Sequence, residues 1–113
     1  MVNKSFDRPL EILDNVLDGK GEIIRKELTD IKPVNVRVCS EMTLNPDSSI
    51  GYHIHNNETE IYYIISGIAE YTDNDKIILV GAGDTAICYS GQGHSIKNIG
   101  SSPVKFFAII ILE

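Results

Sequence analysis

From Glu22 onward the chain runs in short stretches rich in β-branched and aromatic residues, each closed by glycine, asparagine, aspartate, serine or proline. Nine stretches read as strands: Glu22–Leu28, Val34–Leu44, Ser49–His55, Glu60–Ser66, Ile68–Thr72, Lys76–Val80, Asp84–Tyr89, His94–Ile99 and Val104–Leu112. Between them stand turn sequences such as Asn45-Pro46-Asp47-Ser48, Asp73-Asn74-Asp75 and Gly100-Ser101-Ser102-Pro103. No long helical pattern separates the strands, so the chain reads as an antiparallel sandwich or barrel rather than as βαβ units. Residues 1–21 differ from the rest. Leu10, Leu13 and Leu17 recur at helical spacing beside Ile12 and Val16, Pro9 suits a first helical turn, and Gly19 suits an end. That spacing predicts a short N-terminal helix.

A chain of 113 residues has the size of one domain. Ten Lys and Arg against sixteen Asp and Glu give a formal net charge of −6. Such a balance offers no basic surface for a phosphate backbone, and nucleic acid is excluded as an expected partner. The first residues lack an apolar run of signal-peptide length. The longest apolar run, Phe106 to Leu112, falls far short of the roughly 20 residues that span a bilayer. A cytoplasmic protein with no membrane partner is expected. Cys39 and Cys88 are too few and too far apart for a disulfide framework or a metal clasp, and read as buried thiols.

In Val34–Leu44, Val34, Val36, Val38, Met42 and Leu44 share one face, while Asn35, Arg37, Glu41 and Thr43 share the other. This strand is expected to be half buried. By contrast, EIYYIIS and KFFAIIIL are apolar on both faces, and antiparallel strands usually wet one side. A second subunit is the simplest cover, so a homodimer is expected.

All three histidines lie between positions 53 and 94. His53 and His55 are two residues apart in one strand, so both imidazoles project from the same face. Glu60 opens the next strand after the polar link Asn56-Asn57-Glu58-Thr59, and a chain reversal there brings its carboxylate beside them. Two imidazoles and a carboxylate suit a transition metal with open positions. His94 begins a later strand, after the turn Ser90-Gly91-Gln92-Gly93.

The spacing Gly51-x-His53-x-His55-x4-Glu60-x6-Gly67 resembles the first signature of the cupin superfamily, with its leading glycine displaced. The stretch Gly83-x7-Gly91-x2-His94-x3-Asn98 resembles the second, with Tyr89 where the family usually carries proline. The resemblance implies an all-β double-stranded β-helix, a jelly-roll barrel over 22–113 with residues 1–21 packed on it. Carried over position by position, it implies His53, His55, Glu60 and His94 as ligands of one divalent transition metal. The carboxylate favours manganese or iron, with zinc and nickel as competitors.

With Glu60 inward, alternation places Tyr62 and Ile64 inside and turns Ile61, Tyr63 and Ile65 outward. Tyr62 is the candidate catalytic residue; its alternative reading is a core tyrosine whose hydroxyl bonds a carbonyl. Asn98 reads as holding a turn, and Arg37 as a solvated surface residue. The resemblance is compatible with a metal-dependent enzyme acting on a small oxygen-rich acid or sugar, of decarboxylase, isomerase or dioxygenase type. Its rival is a non-catalytic barrel that senses or stores a small molecule or metal. A divalent ion with three neutral imidazoles and one carboxylate leaves a local formal charge of about +1, which attracts an anionic ligand.

Overall fold

Alternating burial along Val36–Leu44 puts Met42 and Leu44 in the interior and half-exposes Glu41 and Thr43, as the pattern of that segment predicts. The computed structural model describes residues 1–113. All nine expected strands are present, their ends moved by at most two residues, and a tenth precedes them. In chain order they are β1 (Leu10–Asp14), β2 (Glu22–Glu27), β3 (Val36–Leu44), β4 (Ser49–Ile54), β5 (Glu58–Ser66), β6 (Ile68–Asp73), β7 (Lys76–Gly81), β8 (Thr85–Cys88), β9 (Gly93–Asn98) and β10 (Val104–Leu112). β3 starts late because a turn closes on the Pro33 carbonyl through the Val36 N–H at 2.9 Å, leaving Val34 exposed.

The expected N-terminal helix does not form. Leu10–Asp14 is a strand paired antiparallel with β2, and the helical content is limited to single 3-10 turns at Ser5–Asp7 and Val16–Asp18. Two physical facts decide it. The edge of β2 gains a hydrogen-bonded neighbour from β1, and Asn15, Leu17 and Asp18 take left-handed conformations with φ of 51°, 52° and 65°, which no right-handed helix admits.

The strands form two antiparallel sheets, ordered β1-β2-β3-β10-β5-β8 and β4-β9-β6-β7. Side chains of both meet in one core, with Leu44, Ile64, Val104 and Phe106 from the first sheet and Ile50, Ala69, Tyr71 and Ile96 from the second. This is the double-stranded β-helix, a jelly-roll barrel. Asn98 does hold a turn: its fully buried amide donates to the carbonyls of Leu44 (2.9 Å) and Ser102 (2.8 Å) and accepts from the Gly100 N–H (2.9 Å). Cys39 and Cys88 are both unpaired thiols; Cys88 is buried as expected, whereas Cys39 lies only half-buried on the outer face of β3. No helix is long and apolar enough to cross a membrane.

One irregularity positions the site. Between Ile50 and His53 the register of β4 against β9 slips, because Ile50 faces Ile96 while His53 faces His94. That bulge lets Ile50, His53 and His55 all point inward, which strict alternation forbids for positions 50 and 53. Gly51 sits in the bulge against the N-terminal turn; a Cβ there would lie 2.0 Å from the Leu17 carbonyl oxygen, so only glycine fits.

Candidate metal centre

β4 supplies His53 and places His55 just past its end, β5 supplies Glu60 and β9 supplies His94. Their donor atoms all lie within 4.8 Å of one another, so the four residues taken from the sequence form one cluster. His94 Nε2 is 3.0 Å from His53 Nε2 and 3.1 Å from His55 Nε2. Glu60 Oε1 stands 3.0 Å from His94 Nε2, 3.1 Å from His55 Nε2 and 3.9 Å from His53 Nε2. Two donors each about 2.1 Å from one ion and at right angles to each other are about 3.0 Å apart, so the spacings fit a single coordination sphere.

The outward face of each ring decides what its inward face offers. His53 Nδ1–H donates to the Gly51 carbonyl at 2.7 Å, and His55 Nδ1–H donates to Glu58 Oε2 at 2.5 Å. Neither acceptor has a proton to give, so the Nε2 of each ring is left as a bare lone pair. His94 Nδ1 pairs with the buried Tyr71 hydroxyl at 2.7 Å and takes the same tautomer when that oxygen accepts. Three lone pairs and a carboxylate about 3 Å apart repel one another unless a cation lies among them. The donor set therefore fits a divalent transition metal.

Burial alone pushes the Glu60 carboxyl up, but in the metal-free chain, where a proton on Nε2 can stand in for the ion, hydrogen bonds from His53, His55 and His94 outweigh it and hold the group well below the usual carboxylate range. The same bond to Glu60 raises the pKa of His55, whereas burial lowers that of His94. Tyr62, the candidate catalytic residue, is buried and stacked on His94 with ring centroids 5.1 Å apart; burial raises its pKa well above that of a free phenol. At neutral pH its hydroxyl is a hydrogen-bond donor, not a base. Ile64 is buried with it, and Tyr63 and Ile65 are exposed, as alternation predicts.

The cluster opens on a cavity of about 330 Å³, at the small end for ligand pockets. His53, His55, Glu60 and Tyr62 share its wall with Arg25, Arg37, Glu58 and apolar side chains that include Val16, Met42 and Ile110. Arg37 is exposed, as its strand pattern implies, but it is paired and also reaches the cavity. The register of β3 against β10 slips so that Val38 faces Ile110 and Val36 faces Ile111, which leaves Arg37 unpaired in a bulge. Its guanidinium turns to Glu58, with Nε to Oε1 at 2.9 Å and Nη2 to Oε2 at 2.8 Å. Glu58, Tyr71 and Arg25 were missed by sequence reasoning; the only available signal was that Glu58 stands three residues after His55 in a polar link.

A model of the cupin domain matches residues 40–110, and the chain belongs to the cupin family. Over 99% of its length it is 39% identical to the oxalate-binding protein of Thermotoga maritima, 94% of which the match covers. A solved structure described as a predicted oxalate decarboxylase, also from Thermotoga maritima, superposes with a TM-score of 0.95 at 38% identity and full coverage of both chains. An RmlC-like cupin from Shewanella frigidimarina shares the fold at a TM-score of 0.82, with 11% identity over 99% of this chain and 90% of its own.

Proposed function

We propose that the chain holds one divalent metal on His53, His55, Glu60 and His94 and there binds a small dicarboxylate, with oxalate as the first candidate. The observation that carries this reading is the convergence of four donors in one cluster, three of which, His53, His55 and Glu60, line a small cavity while His94 lies buried behind them. Charge supports the ligand class. Arg37 is matched by Glu58 on that wall and Arg25 by Glu11 beyond it, so a divalent ion beside Glu60 leaves a net positive charge, the complement of an anion. The name of the 39%-identical relative agrees. Bound there, the ion supplies positive charge and Lewis acidity at the cavity wall. Manganese or iron suits the carboxylate in the donor set, with zinc and nickel as competitors.

Binding is favoured over turnover because the wall has no unpaired acid. Arg37 and His55 hold the Glu58 carboxylate ionised, the first by a hydrogen bond that lowers its pKa against the effect of burial. Tyr62 is left as the one neutral hydroxyl on the cavity wall, beside Glu60. Titration of oxalate into manganese-loaded and metal-stripped protein, followed by calorimetry, tests the reading. Saturable binding that requires the metal is expected, with oxalate unchanged after incubation. Binding that ignores the metal contradicts the proposal, and release of formate and carbon dioxide would replace it with a decarboxylase.

The same proposal includes a homodimer. The outer face of the six-stranded sheet exposes Tyr63 and Ile65 of β5 beside Ile87 of β8 at one edge, an apolar surface of the kind a partner covers, and Leu10 and Ile12 of β1 at the opposite edge. A second copy of the chain is the occupant proposed here. Sedimentation equilibrium should return about twice the chain mass of 12.5 kDa, and a monomer at micromolar concentration contradicts it.

A further inference from the structure

The three ligand imidazoles differ in what holds them from behind. His53 leans on a backbone carbonyl of its own strand and His94 on a buried tyrosine hydroxyl, both neutral. His55 alone leans on a charge, the carboxylate of Glu58. That carboxylate is gripped by both arms of the Arg37 fork, and both residues line the cavity. The two sit on strands that are not neighbours. β10 runs between β3 and β5, and the bulge at Arg37 is what lets its side chain reach the carboxylate.

We infer that Glu58 is a positioning residue for the metal centre, and that Arg37 acts through it. The inference rests on the metal reading above and adds residues that neither the cupin signatures nor the ligand spacing includes. A charged acceptor on Nδ1–H makes the opposite ring nitrogen a stronger donor, and outer partners of this kind are worth about 10–100-fold in metal affinity. A charge-assisted bond is roughly twice as strong as a neutral one, so the effect needs the carboxylate and not merely an oxygen at that point. Arg37 contributes by geometry. Its bidentate grip fixes the plane of the Glu58 carboxylate, with Oε2 toward the imidazole, and keeps the side chain from swinging to the ion as an extra ligand.

Glu58→Gln tests the inference because it keeps the shape and removes the charge. Cobalt(II) is the probe, read by its visible ligand-field bands and by equilibrium titration of the metal-stripped chain. The expected result is a tenfold or greater loss of affinity with shifted bands, and a melting temperature of the metal-free variant close to that of the wild type. Arg37→Ala should produce a smaller loss. In the double variant that smaller loss should vanish, because Arg37 has nothing left to act through. Equal affinity and unshifted bands in Glu58→Gln overturn the inference while leaving the metal centre standing, as do losses that simply add in the double variant. A wild-type chain that takes up no cobalt, manganese or zinc overturns the metal reading and this inference with it.

Discussion

Alanine at position 53 is expected to lower the affinity for a divalent metal by more than about a hundredfold, since removing even an outer partner costs 10–100-fold and a donor contributes more. The fold should survive. His53 lies at the rim of the cluster, partly exposed, and its one outer bond goes to a carbonyl two residues back in its own strand. His94→Ala is a poorer test. That ring is about 1% exposed, stacks on Tyr62 and bonds Tyr71, so its loss opens a hole and strands a buried hydroxyl as well as deleting a ligand. Acid should reproduce the loss reversibly. Hydrogen bonding to Glu60 raises the pKa of His55 above 6.5, so the metal-free chain takes up a proton there as the pH falls through that range. The protonated ring pairs with Glu60 and stabilises the metal-free form below its pKa, while the metal needs the neutral ring. Metal affinity should therefore fall with falling pH, by about tenfold per unit below the pKa for this one proton.

Phe106→Ala should cost about 3–5 kcal/mol of folding stability, close to the whole margin of a small domain at the low end of the usual range. Phe106 is fully buried in β10, facing Met42 of β3 on one side and Ile64 of β5 on the other. Its ring lies 4.5 Å from that of Tyr62, which in turn stacks on His94. The hole would therefore open behind the wall of the metal centre. A thermal melt should show a drop of roughly 15 °C or more, and bound metal should restore part of it, since a ligand that binds only the folded chain stabilises it. A drop of a few degrees would mean that the barrel collapses around the gap and that Tyr62 does not depend on this support.

The strands and the four donors were legible because both rest on local patterns. Alternation in β3 and β5 marks the core face, and His53-x-His55 with Glu60 a turn later brings three donors together from strands that are consecutive in the chain and lie in the two different sheets. The N-terminal helix was misread because Leu10, Leu13 and Leu17 fit helical spacing. In the barrel Leu10 and Ile12 lie exposed on the outer face of an edge strand, and Leu17 adopts a left-handed conformation over the cavity. The second layer of the site was illegible for a different reason. Arg37 meets Glu58 only because a bulge in β3 re-aims it, and Tyr71 meets His94 only through the pairing of β6 with β9, where Thr72 faces Ser95. Cross-strand register and bulges depend on residues far apart in the chain, which no periodicity within one strand encodes.

Equilibrium titration of the chelator-stripped chain with manganese and with zinc, wild type beside His53→Ala, tests the central claim most directly. One ion per chain in the wild type, with affinity lost in the variant, is the result these donors predict. No saturable uptake by the wild type, or uptake that the variant retains undiminished, would contradict a metal centre at His53, His55, Glu60 and His94.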